Sequence, residues 1–339
     1  MDEKSISLVV FNAQYFSGPK DNDKRVLIPF DKDYQISLIK SFADFCQSKN
    51  PDLIVGNEFQ ENSSPTHNVD QANLLKEELK TRGLGEYGII RMGGFNFEES
   101  ESPLIWKIAR STYNNEFMRE NLLINKLGFG KVEIPDEKLG PVQLHTSDVI
   151  LTKNPFSEQN HRYFFPTPAT KLQFYWNFVT RKDERQGVTS CKIEHPAFQF
   201  IIHALHLENA DKKRRKEQAD RVCEIIDDYL DLSPGLPQII AGDFNSSPEG
   251  RQKSFRLDKK IDGLEKIIRH PALRCHSQIY PQEKYTPSPR IHATYPSLNP
   301  TSIFDGAVIT KDLCFLEYEV CRIGLADHEP VYCRIAKKS

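Results

Sequence analysis

A mixed-sheet α/β fold with helices outside the sheets is what the sequence predicts, and three observations carry the prediction. Four short apolar runs each stop at a polar residue, helix-like stretches alternate with them, and two late runs begin with a polar residue instead. If those polar residues meet at one mouth, strands of both directions end there, which excludes a doubly wound parallel sheet.

The first run, Ile6 to Phe11, stops at Asn12, and a long loop from Ser17 to Asp31 follows. A helix is predicted over Tyr34 to Ser48, with apolar residues at Ile36, Ile39, Phe42, Ala43 and Cys46 and with Asn50-Pro51 as its stop. The second run, Asp52 to Asn57, reaches Glu58, and a second helix is predicted over Gln71 to Thr81, ending at Gly83. From about Met92 to Leu144 the strand pattern is weakest. We expect an insertion there, within one domain covering residues 1–339, holding a helix-compatible run from Ser102 to Leu127 and the glycines Gly128 and Gly130. The third run, Phe198 to Leu205, reaches His206. A third helix spans about Ala210 to Tyr229, and the fourth run, Gln238 to Gly242, delivers Asp243 and Asn245. Then the order reverses: Asp305 opens Gly306 to Ile309, and Asp327 and His328 precede Pro330 to Ile335.

Composition narrows the class. The 339 residues carry 45 Lys plus Arg against 47 Asp plus Glu, a net charge of −2, so no global basic field favours long nucleic acid. With 38% hydrophobic and 27% charged residues the chain reads as a folded soluble protein. No apolar run approaches the roughly 18 residues of a membrane span, and Asp2 and Glu3 stand where a secretory signal has basic residues. The 7 cysteines are scattered and form no C-x-x-C pair, which predicts reduced thiols and a cytoplasmic protein.

Asn12, Glu58, His206, Asp243, Asn245, Asp305, Asp327 and His328 all sit at strand edges, and strand ends at one rim form a natural site. Carboxylate and amide oxygens without a thiolate suit Mg²⁺ or Mn²⁺ better than Zn²⁺. His206 and His328 add donors for a phosphate. Asp243 and Asn245, two apart, share a face if the backbone stays extended, so that one orients a water and the other holds a substrate oxygen.

Taken in order, Asn12, the Asp52 to Glu58 strand, Ser147 to Lys153 with Asn154-Pro155, His206 to Asn209 feeding a helix with Arg215 and Gln218, Gly242-Asp-Phe-Asn-Ser-Ser-Pro248, Phe304-Asp305 and Ala326-Asp-His-Glu-Pro-Val331 resemble the endonuclease/exonuclease/phosphatase superfamily of metal-dependent phosphoesterases. The resemblance spans nearly the whole chain. It implies a four-layer sandwich of two mixed sheets flanked by helices. It also implies Glu58 as the principal Mg²⁺ (or Mn²⁺) ligand, with Asn12 and Asp327 near the metal. Asp243 would orient or deprotonate the attacking water, Asn245 and His206 would bind phosphate oxygens, and His328, paired with Asp305, would act as general base or charged stabiliser. Ala326 stands where the superfamily usually has Ser, and Glu61 is a nearby rival to Glu58 in the loop that follows it.

The remaining signals have plainer readings. His203, three residues before His206, points to the opposite face by strand alternation, and the other seven histidines lack ligand spacing. The run Lys212 to Lys216 reads as a solvated helix face, Arg185 equally as a phosphate contact or a surface arginine, and Tyr175 and Trp176 as packing. Substrate choice stays open: nucleic acid narrowly leads, ahead of phosphoinositide, sphingolipid headgroup or nucleotide-like phosphate. A reading of another class is a catalytically silent phosphate-binding module, against which the intact acidic and histidine set argues. Protein partners are not legible in the sequence.

Overall fold

The computed structural model describes residues 4–13, 16, 32–60, 69–98, 143–164, 187–208, 212–245, 263–275, 293–295, 297 and 303–338. Twelve strands are described: β1 (Ser5–Asn12), β2 (Leu53–Gln60), β3 (Gly88–Glu98), β4 (Gln143–Thr152), β5 (Phe156–Tyr163), β6 (Gly187–Glu194), β7 (Gln199–His206), β8 (Gln238–Asp243), β9 (Leu273–Cys275), β10 (Asp305–Thr310), β11 (Leu313–Val320) and β12 (Val331–Lys337). The helices are α1 (Lys32–Lys49), α2 (Gln71–Thr81), α3 (Lys212–Leu232) and α4 (Gly263–Ile268). One six-stranded sheet runs β11-β12-β1-β2-β4-β3, the other β5-β6-β7-β8-β10-β9. Each has one parallel pair, β1 with β2 and β7 with β8; all its other neighbours are antiparallel.

Strand alternation builds the layers. Along β1, Ile6, Leu8 and Val10 enter the core between the sheets, while Val9 and Phe11 pack with α1 and α2. Along β7, Phe200, Ile202 and Ala204 face the other sheet, and Ile201 and Leu205 pack with α3 and α4. Helix, sheet, sheet, helix is therefore the order of the four layers. Each buried aliphatic side chain stabilises this stack by roughly 1.5–3 kcal/mol before chain entropy is counted.

The helix stops behave as predicted. Asn50 takes a left-handed φ of 48°, its N–H donates to Cys46 O at 2.7 Å, and Pro51 cannot continue the helix. Asp70 caps α2 through a 3.1 Å bond from Asn73 N–H.

Strand directions also agree with the prediction. β1, β2, β7 and β8 end at one mouth and β10 and β12 begin there, with Asn12 beside Asn57, His206 beside Asp243 and Asp305 beside Asp243. Part of the region expected as an insertion is sheet: Met92 to Glu98 belongs to β3 and pairs with Gln143 to Asp148 of β4. Residues 99–142, including the helix-compatible run, lie outside the described residues, as do Glu61, Arg185 and the aromatic stretch after Phe164. The edge strand β11 escapes the sequence pattern because its alternate residues include Glu317 and Glu319, which an edge strand carries on its exposed side.

Candidate functional site

Residues that point into the inter-sheet space build the site at the mouth. Asn12 continues the inward parity of Val10, Asp243 that of Ala241, His206 that of Ala204 and Asp305 that of Ala307. Glu58 gets there differently. The β2–β4 pairing shifts between Gly56 and Phe59, and Glu58 adopts a φ of +56°, rare for a residue with a Cβ. This bulge sends the Phe59 ring to the helix side, edge-on to Phe16 at 5.4 Å, and leaves the Glu58 carboxylate among the site residues. Gly56 makes room: a Cβ there would lie 2.4 Å from the Phe59 ring.

Asn12 Nδ2 donates to Asp243 Oδ2 at 2.9 Å and to Glu58 Oε1 at 3.3 Å, joining the two carboxylates. His206 Nε2 lies 3.7 Å from Glu58 Oε1 and 3.7 Å from Asp243 Oδ2, while its Nδ1 faces Asp148 Oδ1 at 3.7 Å. On the far side, His328 Nδ1 bonds Asp305 Oδ2 at 2.7 Å and lies 3.9 Å from Asp243 Oδ2, with its Nε2 3.8 Å from Asp327 Oδ1. The result is a continuous chain of acids and imidazoles across both sheets.

The electrostatics follow from burial and this alternation. Burial disfavours a charged His206, but the carboxylates of Asp148, Asp243 and Glu58 outweigh it and push its pKa up to about 10. His328 is likewise raised well above the imidazole range, with burial overcome by Asp305, Asp327 and Asp243. Asp243 is raised by burial and by the Asp305 carboxylate, against the pull of His328, His206 and Asn12. Five carboxylates meet two imidazoles here, so negative charge is in excess among the described residues.

That excess fits a divalent cation. Ligand atoms of Asp243, Asp305 and His328 lie within 4.8 Å of one another, and the buried Asp305 Oδ1 has no hydrogen-bond partner among the described residues. Two of these three groups are carboxylates, and the acidic neighbours of His328 hold its pKa well above the imidazole range, so oxygens rather than nitrogens are the ready donors, which suits a hard ion. This tightest group differs from the predicted set of Glu58, Asn12 and Asp327, which flanks it on both sides.

Two sequence expectations need correction. Asp243 and Asn245 do not share a face by extended alternation: β8 ends at Asp243, and Asn245 has a φ of 46°. Its N–H turns back to Asp243 Oδ1 at 2.7 Å and its Nδ2 donates to Leu207 O at 2.8 Å, so this turn holds both residues at the mouth. Nor is the basic run uniformly solvated. Lys213 and Lys216 are exposed, but Arg215 is buried and donates to Glu208 O at 2.6 Å, while Gln218 accepts from Glu208 N–H, pinning the segment after His206. His203 does face away, buried between Ser190 and Gln238 and against Tyr229.

Sequence reasoning missed three contributors. Asp148 accepts the Glu58 N–H at 3.1 Å and faces His206. Asn57 ties the sheets together, donating to Leu205 O at 3.1 Å and accepting from Asp243 N–H at 3.0 Å. Thr294 Oγ1 accepts from the N–H groups of Phe304 and Asp305. Only Asp148 left a signal, an acid inside an apolar strand. Ala326 lies buried in the apolar cluster beneath α1 and α2, where a small side chain packs without a polar partner.

No family model and no curated protein matches the sequence. Solved structures match over the whole length. A Beutenbergia cavernae endonuclease/exonuclease/phosphatase superposes with a TM-score of 0.58 at 14% identity, over 99% of this chain and 72% of that one. The chain shares the fold of this and other solved endonuclease/exonuclease/phosphatase proteins. The mannosyl-6-phosphatase Bt3783 of Bacteroides thetaiotaomicron shares this fold with a TM-score of 0.56 at 16% identity, over 98% of this chain and 100% of that one. Truncated Caenorhabditis elegans TDP2 shares it with a TM-score of 0.53 at 10% identity, over 98% and 97%. At the inter-sheet mouth, the cluster of acids and imidazoles offers oxygens to a hard cation and N–H donors to an anion.

Proposed function

We infer that the protein is a divalent-metal-dependent phosphoesterase that hydrolyses a phosphate ester by in-line attack of water. The observation that supports this reading most is the chain from half-buried Asp148, Glu58 and His206 to buried Asp243, His328, Asp305 and Asp327. Mg²⁺ or Mn²⁺ would neutralise charge on the phosphoryl oxygens, with Glu58 and Asp327 as its ligands and Asn12 beside them as the sequence suggests, or with the closer-set carboxylates of Asp243 and Asp305 in their place. Asp243 orients the attacking water and takes its proton, a role suited to a carboxylate whose pKa burial has raised. His206 and Asn245 aim at the non-bridging oxygens. His328, raised by its acidic neighbours, is charged near neutral pH and acts as stabiliser of the developing phosphoryl charge rather than as general base. Asp305 holds its ring.

Nucleic acid is the first substrate proposed, as a phosphodiester. A small sugar or nucleotide-like phosphomonoester is the second, favoured by the likeness to the Bacteroides mannosyl-6-phosphatase. The protein is read as cytoplasmic; among the described residues no helix is long and apolar enough to cross a membrane. The deciding experiment incubates wild-type protein and Asp243→Asn with Mg²⁺ and either an end-labelled single-stranded oligonucleotide or mannose 6-phosphate. Asp243→Asn is expected to lower turnover by on the order of 10²–10⁴-fold while folding normally. Turnover that survives exhaustive chelation ends the metal reading, and saturable phosphate binding without turnover under any metal favours the silent module.

A further inference from the structure

Asn57 ends the inward row of β2 that Leu53 and Val55 begin, and it is fully buried where the apolar core between the sheets meets the mouth. A buried amide needs partners for both its donor and its acceptor, and Asn57 finds them on the other sheet. Its Nδ2 donates to Leu205 O of β7 at 3.1 Å, and its Oδ1 accepts from Asp243 N–H of β8 at 3.0 Å. The same amide bonds the Asp148 carboxylate of β4. One side chain therefore reaches three strands, and its own strand runs directly on into Glu58. Within their sheet, β7 and β8 are already pressed together at this level: Gly242 has a φ of 142°, and a Cβ there would lie 1.9 Å from Leu205 O. What is left to set is the distance from this strand pair to Glu58 across the sheets. Apolar packing is non-directional, whereas a hydrogen bond has a preferred length and angle. Asn12 reaches the same residue, but it holds the Asp243 carboxylate, and Asn57 holds the main chain from which that carboxylate hangs.

We propose, resting on the hydrolase reading above, that Asn57 is a positioning residue: by bonding Leu205 and Asp243 at once it sets the place of the Asp243 carboxylate relative to Glu58, and with it the rate of the chemical step. Asn57 is buried beneath the mouth and touches no substrate, so it acts through Asp243 and belongs to kcat rather than to KM. Only an amide can fill the role. An aspartate would have no donor for Leu205 O, and an aliphatic side chain would leave both backbone groups without their cross-sheet partner.

The test measures steady-state hydrolysis by the full chain with Mg²⁺ or Mn²⁺, on whichever of a single-stranded oligonucleotide, mannose 6-phosphate and bis-p-nitrophenyl phosphate the wild type turns over, with rates taken per folded molecule. Asn57→Ala is expected to lower kcat by about 10²-fold and to leave KM within about threefold. Asn57→Gln, which returns the amide on a stem one methylene longer, should recover at least about tenfold of that loss. In the Asp243→Asn background, Asn57→Ala should change kcat by less than about threefold, because the group it positions is already gone. Asn57→Ser, too short to reach the other sheet, takes the place of Asn57→Ala if the alanine protein does not fold, with the same values expected. With an active wild type, an unchanged kcat, a loss that Asn57→Gln does not relieve, or an equal loss with and without Asp243 overturns the proposal and leaves the hydrolase reading standing. A wild type silent on all three esters with either metal removes that reading and the proposal together.

Discussion

Glu58 at a φ of +56° carries backbone strain that other residues must hold in place. Non-glycine left-handed residues cost of order 1–3 kcal/mol, and here the Asp148 bond to the Glu58 N–H and the seating of Phe59 offset that cost. Gly56→Ala would drive a methyl into the Phe59 ring, so it should destabilise the protein by about 1–3 kcal/mol in urea titrations and lower turnover through Glu58. Asp305→Asn tests the neighbouring pair. Asp305 raises the His328 pKa, so its removal lets that pKa fall. If the charged ring is the active form, the alkaline limb of the pH–rate profile moves to lower pH; an unmoved limb sinks the stabiliser assignment. His328 was legible as part of an Asp-His pair in the sequence, but Asp148 was not, because a single acid in an apolar strand does not reveal what faces it.

At the scale of elements, the site depends on how strands and helices are anchored. Asp70 caps α2 and also receives Arg91 Nη2 of β3 at 2.8 Å, so one carboxylate fixes a helix start against a sheet edge. Asp70→Ala should therefore cost about 1–2 kcal/mol in chemical denaturation, the range of a lost N-cap, with turnover per folded molecule unchanged. Asn57 plays the corresponding part between sheets. The strands that end at the mouth were visible as apolar runs with polar stops. The edge strand β11 and the distal part of β3 were not, since edge residues bury one side at most and keep charges on the other.

For the whole molecule, pH couples to stability through a histidine outside the site. His203 is fully buried, and burial pushes its pKa down to about 4 although the Gln238 bond favours its charged form. A folded-state pKa below the unfolded value of 6.5 means that the unfolded chain binds the proton first. This contribution is complete above pH 6.5 and is lost as pH falls to about 4, amounting to on the order of 3 kcal/mol at 1.36 kcal/mol per pH unit. Denaturation midpoints should fall across that window, and His203→Gln should flatten the fall; an equal slope in the variant refutes the assignment.

The sequence by itself determined the layered mixed-sheet architecture, the strand directions at the mouth and most of the residues gathered there. Those features follow from local patterns, because period-2 alternation chooses a face and a polar stop marks a strand end. Only the tertiary structure decided that Glu58 enters the site through a bulge, that Asn245 turns back on Asp243, that Arg215 is spent on Glu208, and that Asp148 and Asn57 belong to the site. Each of these depends on a partner far along the chain, and a side chain's partner is set by packing between sheets, which no local pattern records.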